Sequence, residues 1–209
     1  MTNELQIRPG SAPAPTTEVK QYGPDATYID NRGSLTIQYE ANFGPTTMDA
    51  LMAVQRFSRE YYHLIVTPED ILHQTRITVP ADKAMVKGTI PDELFDRCAT
   101  LTPNAQVETM SIPAVICNLN TDYHGKTTPG QTAVYARLIR IYPAGDEIEV
   151  DFQPLGPVSQ ELLISYHPAF GLNMDCALTD LNIEAWTIQK INLFEAFAAA
   201  GISGLPIPT

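Results

Sequence analysis

Between Asn120 and Thr127 the chain reads Asn-Thr-Asp-Tyr-His-Gly-Lys-Thr, which sets several chemistry-bearing side chains close together. Asp122 and His124 stand two residues apart, so on a loop their side chains lie near one another. A carboxylate beside an imidazole can orient it as a general base, or the two can share a metal ion. Either task needs a third group, and the sequence offers none nearby. His63, His73 and His167 are remote, no HExxH occurs, and no serine sits in a nucleophile-elbow pattern. Asp122 and His124 therefore stand as catalytic candidates only if folding supplies that group; the plainer reading of Asp-x-His is a loop hydrogen bond.

His124-Gly125-Lys126-Thr127 also matches the end of a phosphate-binding loop. Such a loop requires a glycine where Asn120 stands, and a helix N-terminus just beyond, where Pro129 prevents one. Residues 120–132 are expected to be a polar connecting loop. No metal site and no cofactor is expected.

Cys98, Cys117 and Cys176 are an odd number of thiols with no CxxC pair, which speaks against a disulfide framework or a zinc knuckle. Cys98 shares a helical face with Leu94 and Leu101, and Cys117 alternates with Val115 and Leu119, so both read as small core residues. Glu147, Glu149 and Asp151 could hold calcium if another acidic loop faced them; their alternation reads better as the solvated face of a strand. Trp186 reads as core, and His63, after Tyr61 and Tyr62, as packing between helix and sheet.

The elements that must position these groups emerge from spacing. Residues 1–33 carry Pro9, Pro13, Pro15 and Pro24 with Gly10, Gly23 and Gly33 and show no periodicity, so they are expected to be an extended arm. Its apolar anchors, Leu5, Ile7, Val19, Tyr22 and Tyr28, are too irregularly spaced for one face of any regular element and are expected to be interface residues. From Ser34 the pattern alternates, which predicts a strand through Tyr39. A helix over residues 48–61 is predicted to bury Leu51, Val54, Phe57 and Tyr61. Short strands follow at His63–Val66 and Arg76–Val79, separated by a turn of helix opened by Thr67-Pro68-Glu69-Asp70. Pro91 opens a helix to about Leu101.

This order over residues 34–101 (strand, helix, strand, turn, strand, helix) resembles the small ring-building domains of secretin channels, a resemblance of hydrophobic spacing that implies a similar α/β architecture. Residues 102–203 read mainly as strands, beginning with Ala114–Leu119. A hairpin of residues 134–142 and 147–153 is predicted around Pro143-Ala144-Gly145-Asp146, pairing Tyr142 with Glu147, Ile141 with Ile148, Ile139 with Val150 and Arg140 with Glu149. Ile139, Ile141, Ile148 and Val150 then face the core. Segments 159–167 and 181–191 are ambiguous between strand and helix, Ile183, Trp186 and Ile188 fitting neither period cleanly, and both are predicted as strands. Asn192 caps a helix through Ala200 that stops at Gly201, and residues 204–209 form a short extended tail. The fold class is α+β, a mixed or antiparallel sheet with two or three short helices in one domain over residues 34–203.

Thirteen basic against 24 acidic side chains give a net charge of −11, distributed as −4 over residues 1–100 and −7 over residues 101–209. Neither half offers the clustered Lys and Arg that phosphate contacts need, so direct nucleic-acid binding is not expected. At 18% charged and 44% hydrophobic the chain has enough apolar surface for a core, and the bulk of it is expected to fold. It opens without a basic start and apolar run, and no 18-residue apolar stretch occurs, so no membrane partner is expected and the chain is expected to be made in the cytosol. An acidic body with extended arms and no catalytic signature leads to the expectation of a structural subunit of a larger assembly, a virus or phage capsid or tail component. Its partners would be copies of itself or other subunits. Two rival readings remain open: an enzyme with a fold-assembled site near Asp122 and His124, and an acidic binding module or inhibitor.

Overall fold

Tyr62-His63-Leu64-Ile65-Val66-Thr67 has no polar alternation, the mark of a strand covered on both faces. In a computed structural model of the chain, which describes residues 52, 54–121, 125–175 and 178–208, that run is β1 (Tyr62–Thr67), buried along its whole length. It sits in a six-stranded mixed sheet with β2 (Arg76–Pro80), β3 (Pro113–Asn118), β4 (Thr132–Ala144), β5 (Glu147–Ser159) and β6 (Ala185–Gln189), in the order β2-β5-β4-β3-β1-β6. β1 and β3 run parallel; every other neighbouring pair is antiparallel. Four short helices accompany the sheet among the described residues: α1 (Asp92–Cys98), α2 (Pro103–Met110), α3 (Gln160–Ser165) and α4 (Leu193–Ala199). The fold is α+β with a mixed sheet. No helix among the described residues is long and apolar enough to cross a membrane.

The sheet curls. After β2 the chain crosses to the far edge, where Ala84 bridges to Trp186 and the Met85 N–H donates to the Trp186 carbonyl at 2.7 Å. The concave side holds Ile65, Ile77, Val79, Ile116, Val150 and Trp186, closed over by Leu94, Cys98 and Leu101 from α1 and its C-terminal turn. The convex side of β1, β3 and the first half of β4 is covered by a second cluster, in which Tyr62, Val115 and Tyr135 meet Leu163 of α3 and Leu193 and Phe197 of α4. The remainder of the convex face, around Arg140 and Tyr142, is exposed.

Several sequence expectations are corrected. The helix expected over 48–61 does not extend past Val54 among the described residues; residues 55–61 are turn, bend and irregular chain. Ser58 takes the amides of Glu60 and Tyr61 on its hydroxyl while its own amide donates to Ser111, a local competition that unwinds helices. Thr67-Pro68-Glu69-Asp70 starts no helix, because the Asp70 carboxylate accepts the amides of Leu72 and His73 in an Asx turn. Within the described part of segment 34–101, β1 pairs with β3 and β6 while β2 pairs with β5, so its two strands are not neighbours in the sheet. Segment 160–165 is helix rather than strand, and α2 was not anticipated, although Thr102 caps it and Pro103 stands at its first position.

The hairpin exists with a shifted register. Its loop is only Gly145-Asp146, with Gly145 at the left-handed φ of 67° that such a tight turn needs. Tyr142 therefore pairs with Glu149, Ile141 with Val150 and Arg140 with Asp151. A shift of two residues preserves the faces, so Ile141, Ile148 and Val150 are buried as expected. Ile139 is not: a bulge between Leu138 and Arg140 turns it outward, 47% exposed. The expected strand at 34–39 and the arm anchors Leu5, Ile7, Val19, Tyr22 and Tyr28 lie outside the described residues.

Candidate functional site

The parallel strands β1 and β3 end side by side at Thr67 and Asn118, and the loops that leave them are built largely of amide side chains. Gln160, at the start of α3 and fully buried, places its Oε1 on the Asn118 amide at 3.2 Å while its Nε2 donates to the Asn118 carbonyl at 3.0 Å. The same Nε2 reaches Thr127 Oγ1 at 3.4 Å, and Thr127 in turn donates to Gln131 Oε1 at 2.9 Å. Asn118 Nδ2 donates to the Glu69 carbonyl at 2.5 Å, tying the loop after β1 to the loop after β3. Asn120 Nδ2 donates to the Lys126 carbonyl and so staples the neck of the loop between them. Asn182 then closes the belt by donating to the Asn120 carbonyl at 3.0 Å.

Every sequence-predicted catalytic residue belongs to this loop, but Asp122 and His124 lie outside the described residues. What the structure describes is their frame. It is neutral, and no buried side-chain polar atom among the described residues is left without a partner. Such a network fixes a loop; it contributes neither a nucleophile nor a base. The phosphate-loop likeness fails here on chemistry, since the Thr127 hydroxyl is engaged within the belt and residues 126–131 form no helix.

A second buried polar group joins the sheet to α2. His63 is fully buried; its Nδ1 accepts from Trp186 Nε1 at 3.0 Å, and its Nε2 donates to the Thr109 carbonyl at 2.9 Å. Indole nitrogen can only donate, so the ring is the neutral tautomer with its proton on Nε2. Burial lowers its pKa to about 4. The two rings meet edge to face with centroids 5.6 Å apart. Trp186 and His63 are thus core, as expected, and Tyr62 anchors its hydroxyl on the Phe170 carbonyl at 2.6 Å.

The acidic strand face is paired across β2. Arg76 Nε and Nη2 meet the two carboxylate oxygens of Asp151 at 2.6 and 3.2 Å, and its third nitrogen lies 3.4 Å from Glu149. This guanidinium holds the Asp151 carboxyl below its ordinary range. The open cleft beside it, about 560 Å³ and lined by Thr75, Ile139 and Phe152, therefore presents an arginine already paired with Asp151 and Glu149. Among the described residues no three His, Cys, Asp or Glu side chains gather to hold a metal ion. Cys98 and Cys117 are buried free thiols whose pKa values burial raises, which suits packing better than nucleophilic attack. Compared with protein-family models, curated proteins and solved structures, the chain matches none.

Proposed function

We propose that the chain is a structural subunit of a larger protein assembly, a virus or phage capsid or tail component whose N-terminal arm reaches neighbouring subunits. The supporting observation is how self-sufficient the described domain is. Residues 54–205 cover both faces of β1 and β3 with apolar side chains, and their own chain caps the β6 edge through Met85. On this reading Leu5, Ile7, Val19, Tyr22 and Tyr28 drop singly into pockets on a partner, while the prolines between them limit the entropy lost on binding. Partners are further copies of this chain or other subunits of the same particle.

The test is native mass against concentration for the full chain, with and without residues 2–30. The full chain is expected to give species heavier than one copy, and the truncated chain to give one copy with unchanged circular dichroism. A full chain that stays a single copy at micromolar concentration, even with its partner proteins added, overturns the reading.

A further inference from the structure

The C-terminal tail folds back as a strap. α4 ends at Ala199, and the chain turns at Gly201 and Gly204 with φ of 70° and 80°, left-handed values that glycine adopts without strain. Beyond these hinges Leu205 packs, partly buried, on the convex cluster, and the Tyr135 hydroxyl donates to the Pro206 carbonyl at 3.1 Å. Gly156 of β5 lies directly beneath: a Cβ added there would collide with the Leu205 side chain. The seat is thus a bare patch of sheet that accepts one leucine, beside a hydroxyl that takes the next residue's carbonyl.

The strap is half-buried at Leu205, Pro206 and Pro208 and is anchored by one apolar side chain and one hydroxyl. Ile207, two residues after the anchor, is 45% exposed, and the hydroxyl bond is to a backbone atom that any sequence offers. Near the other end of the chain, Leu5-Gln6-Ile7 repeats the leucine and isoleucine spacing of Leu205-Pro206-Ile207, with a proline two residues after Ile7 at Pro9 and one residue after Ile207 at Pro208. An extended arm with that spacing can present the same leucine and the same following carbonyl.

We propose that the strap is a placeholder and that the seat over Gly156 receives Leu5 from the N-terminal arm of a second copy, with the Gln6 carbonyl taking the Tyr135 hydroxyl. The inference rests on the assembly reading and names the surface it uses. Strap and incoming arm compete, so the strap raises the concentration at which copies join.

Three variants of the full chain test this by native mass against concentration. Leu205→Ala removes the competitor and should bring half-assembly to about tenfold lower concentration, the effect of one half-buried leucine. Leu5→Ala should raise it by a similar factor. Gly156→Val fills the seat; it should abolish assembly and speed amide exchange over residues 202–207. Leu5→Ala interrogates the same contact without altering the domain, so the outcome does not hang on how β5 tolerates valine. If the full chain assembles but Leu205→Ala and Leu5→Ala leave its concentration dependence unchanged, the seat inference fails while the assembly reading stands. If the full chain never assembles, that reading fails, and the seat is judged by a fluorescent peptide of residues 1–12 on full-length Leu205→Ala. Saturable binding lost with alanine at peptide position 5 supports the seat, and no binding overturns it.

Discussion

His63 is a titratable group that the fold keeps neutral well below its ordinary range. Adding a proton at Nδ1 would set an N–H against the Trp186 N–H, and burial already lowers the folded-state pKa to about 4 from an ordinary 6.5. The sign follows. Above pH 6.5 neither state is protonated there and the folded state loses nothing; as pH falls from 6.5 towards 4 the unfolded chain takes up a proton that the folded chain refuses. Stability should drop by about 3 kcal/mol across that window. Urea unfolding of the wild type and of His63→Gln, whose amide can still accept from the indole and donate to Thr109, checks this. The variant should lose about 3 kcal/mol less than the wild type between pH 7 and pH 4, and parallel losses would refute the assignment. Gln160 carries the other residue-scale expectation. Gln160→Ala removes the partner of the Asn118 amide and the nearer of the two donors to its carbonyl, Gln131 Nε2 remaining at 3.4 Å, and should cost about 1–3 kcal/mol in the same measurement.

At the scale of elements, the β4–β5 hairpin shows how a turn and a bulge divide control of a register. The two-residue loop at Gly145-Asp146 sets the pairing near the tip, and the bulge at Ile139 returns Leu138 to the inner face opposite Phe152. Truncation to alanine should separate the two isoleucines. Ile141→Ala, at 2% exposed, should cost about 2–4 kcal/mol, whereas Ile139→Ala, at 47%, should cost under about 1. Val150→Asp places an unpaired charge at a fully buried position and should cost several kcal/mol, roughly 3 or more. Glu149→Gln loosens only an exposed pair with Arg76 and should cost under about 1 kcal/mol. Equal shifts in melting temperature within either pair of variants would mean that the register is wrong.

For the molecule as a whole, the question is whether the arm belongs to folding or to association. The described domain has its own two-sided core, so deleting residues 2–30 should leave cooperative melting and near-native circular dichroism while abolishing higher-mass species. A truncated chain that fails to fold would make the arm an integral part of its own domain and remove the main argument for an assembly subunit.

Local patterns alone determined a good part of this protein. The strands at 62–67, 76–80 and 113–118, the helix opened by Pro91 and the Asn192 cap are legible because hydrophobic period and capping chemistry act over a few neighbouring residues, whereas segment 181–191 fits neither period and divides into a 3-10 turn at Asp180–Asn182 and the strand Ala185–Gln189. The start of α2 is local chemistry of the same kind, a Thr102 cap followed by Pro103 at the first helical position. Segment 159–167 was not legible, since its apolar residues suit either period and only packing of Leu163 and Ile164 on the convex cluster selects a helix. Nor was the amide belt. Asn118, Thr127 and Gln160 are scattered along the chain and carry no motif, and they meet only because β1 and β3 end together and β5 runs back alongside β4 to bring α3 to them. The seat for Leu205 is likewise a product of tertiary structure: a glycine 49 positions earlier in the chain becomes its floor only when the tail folds back across the sheet.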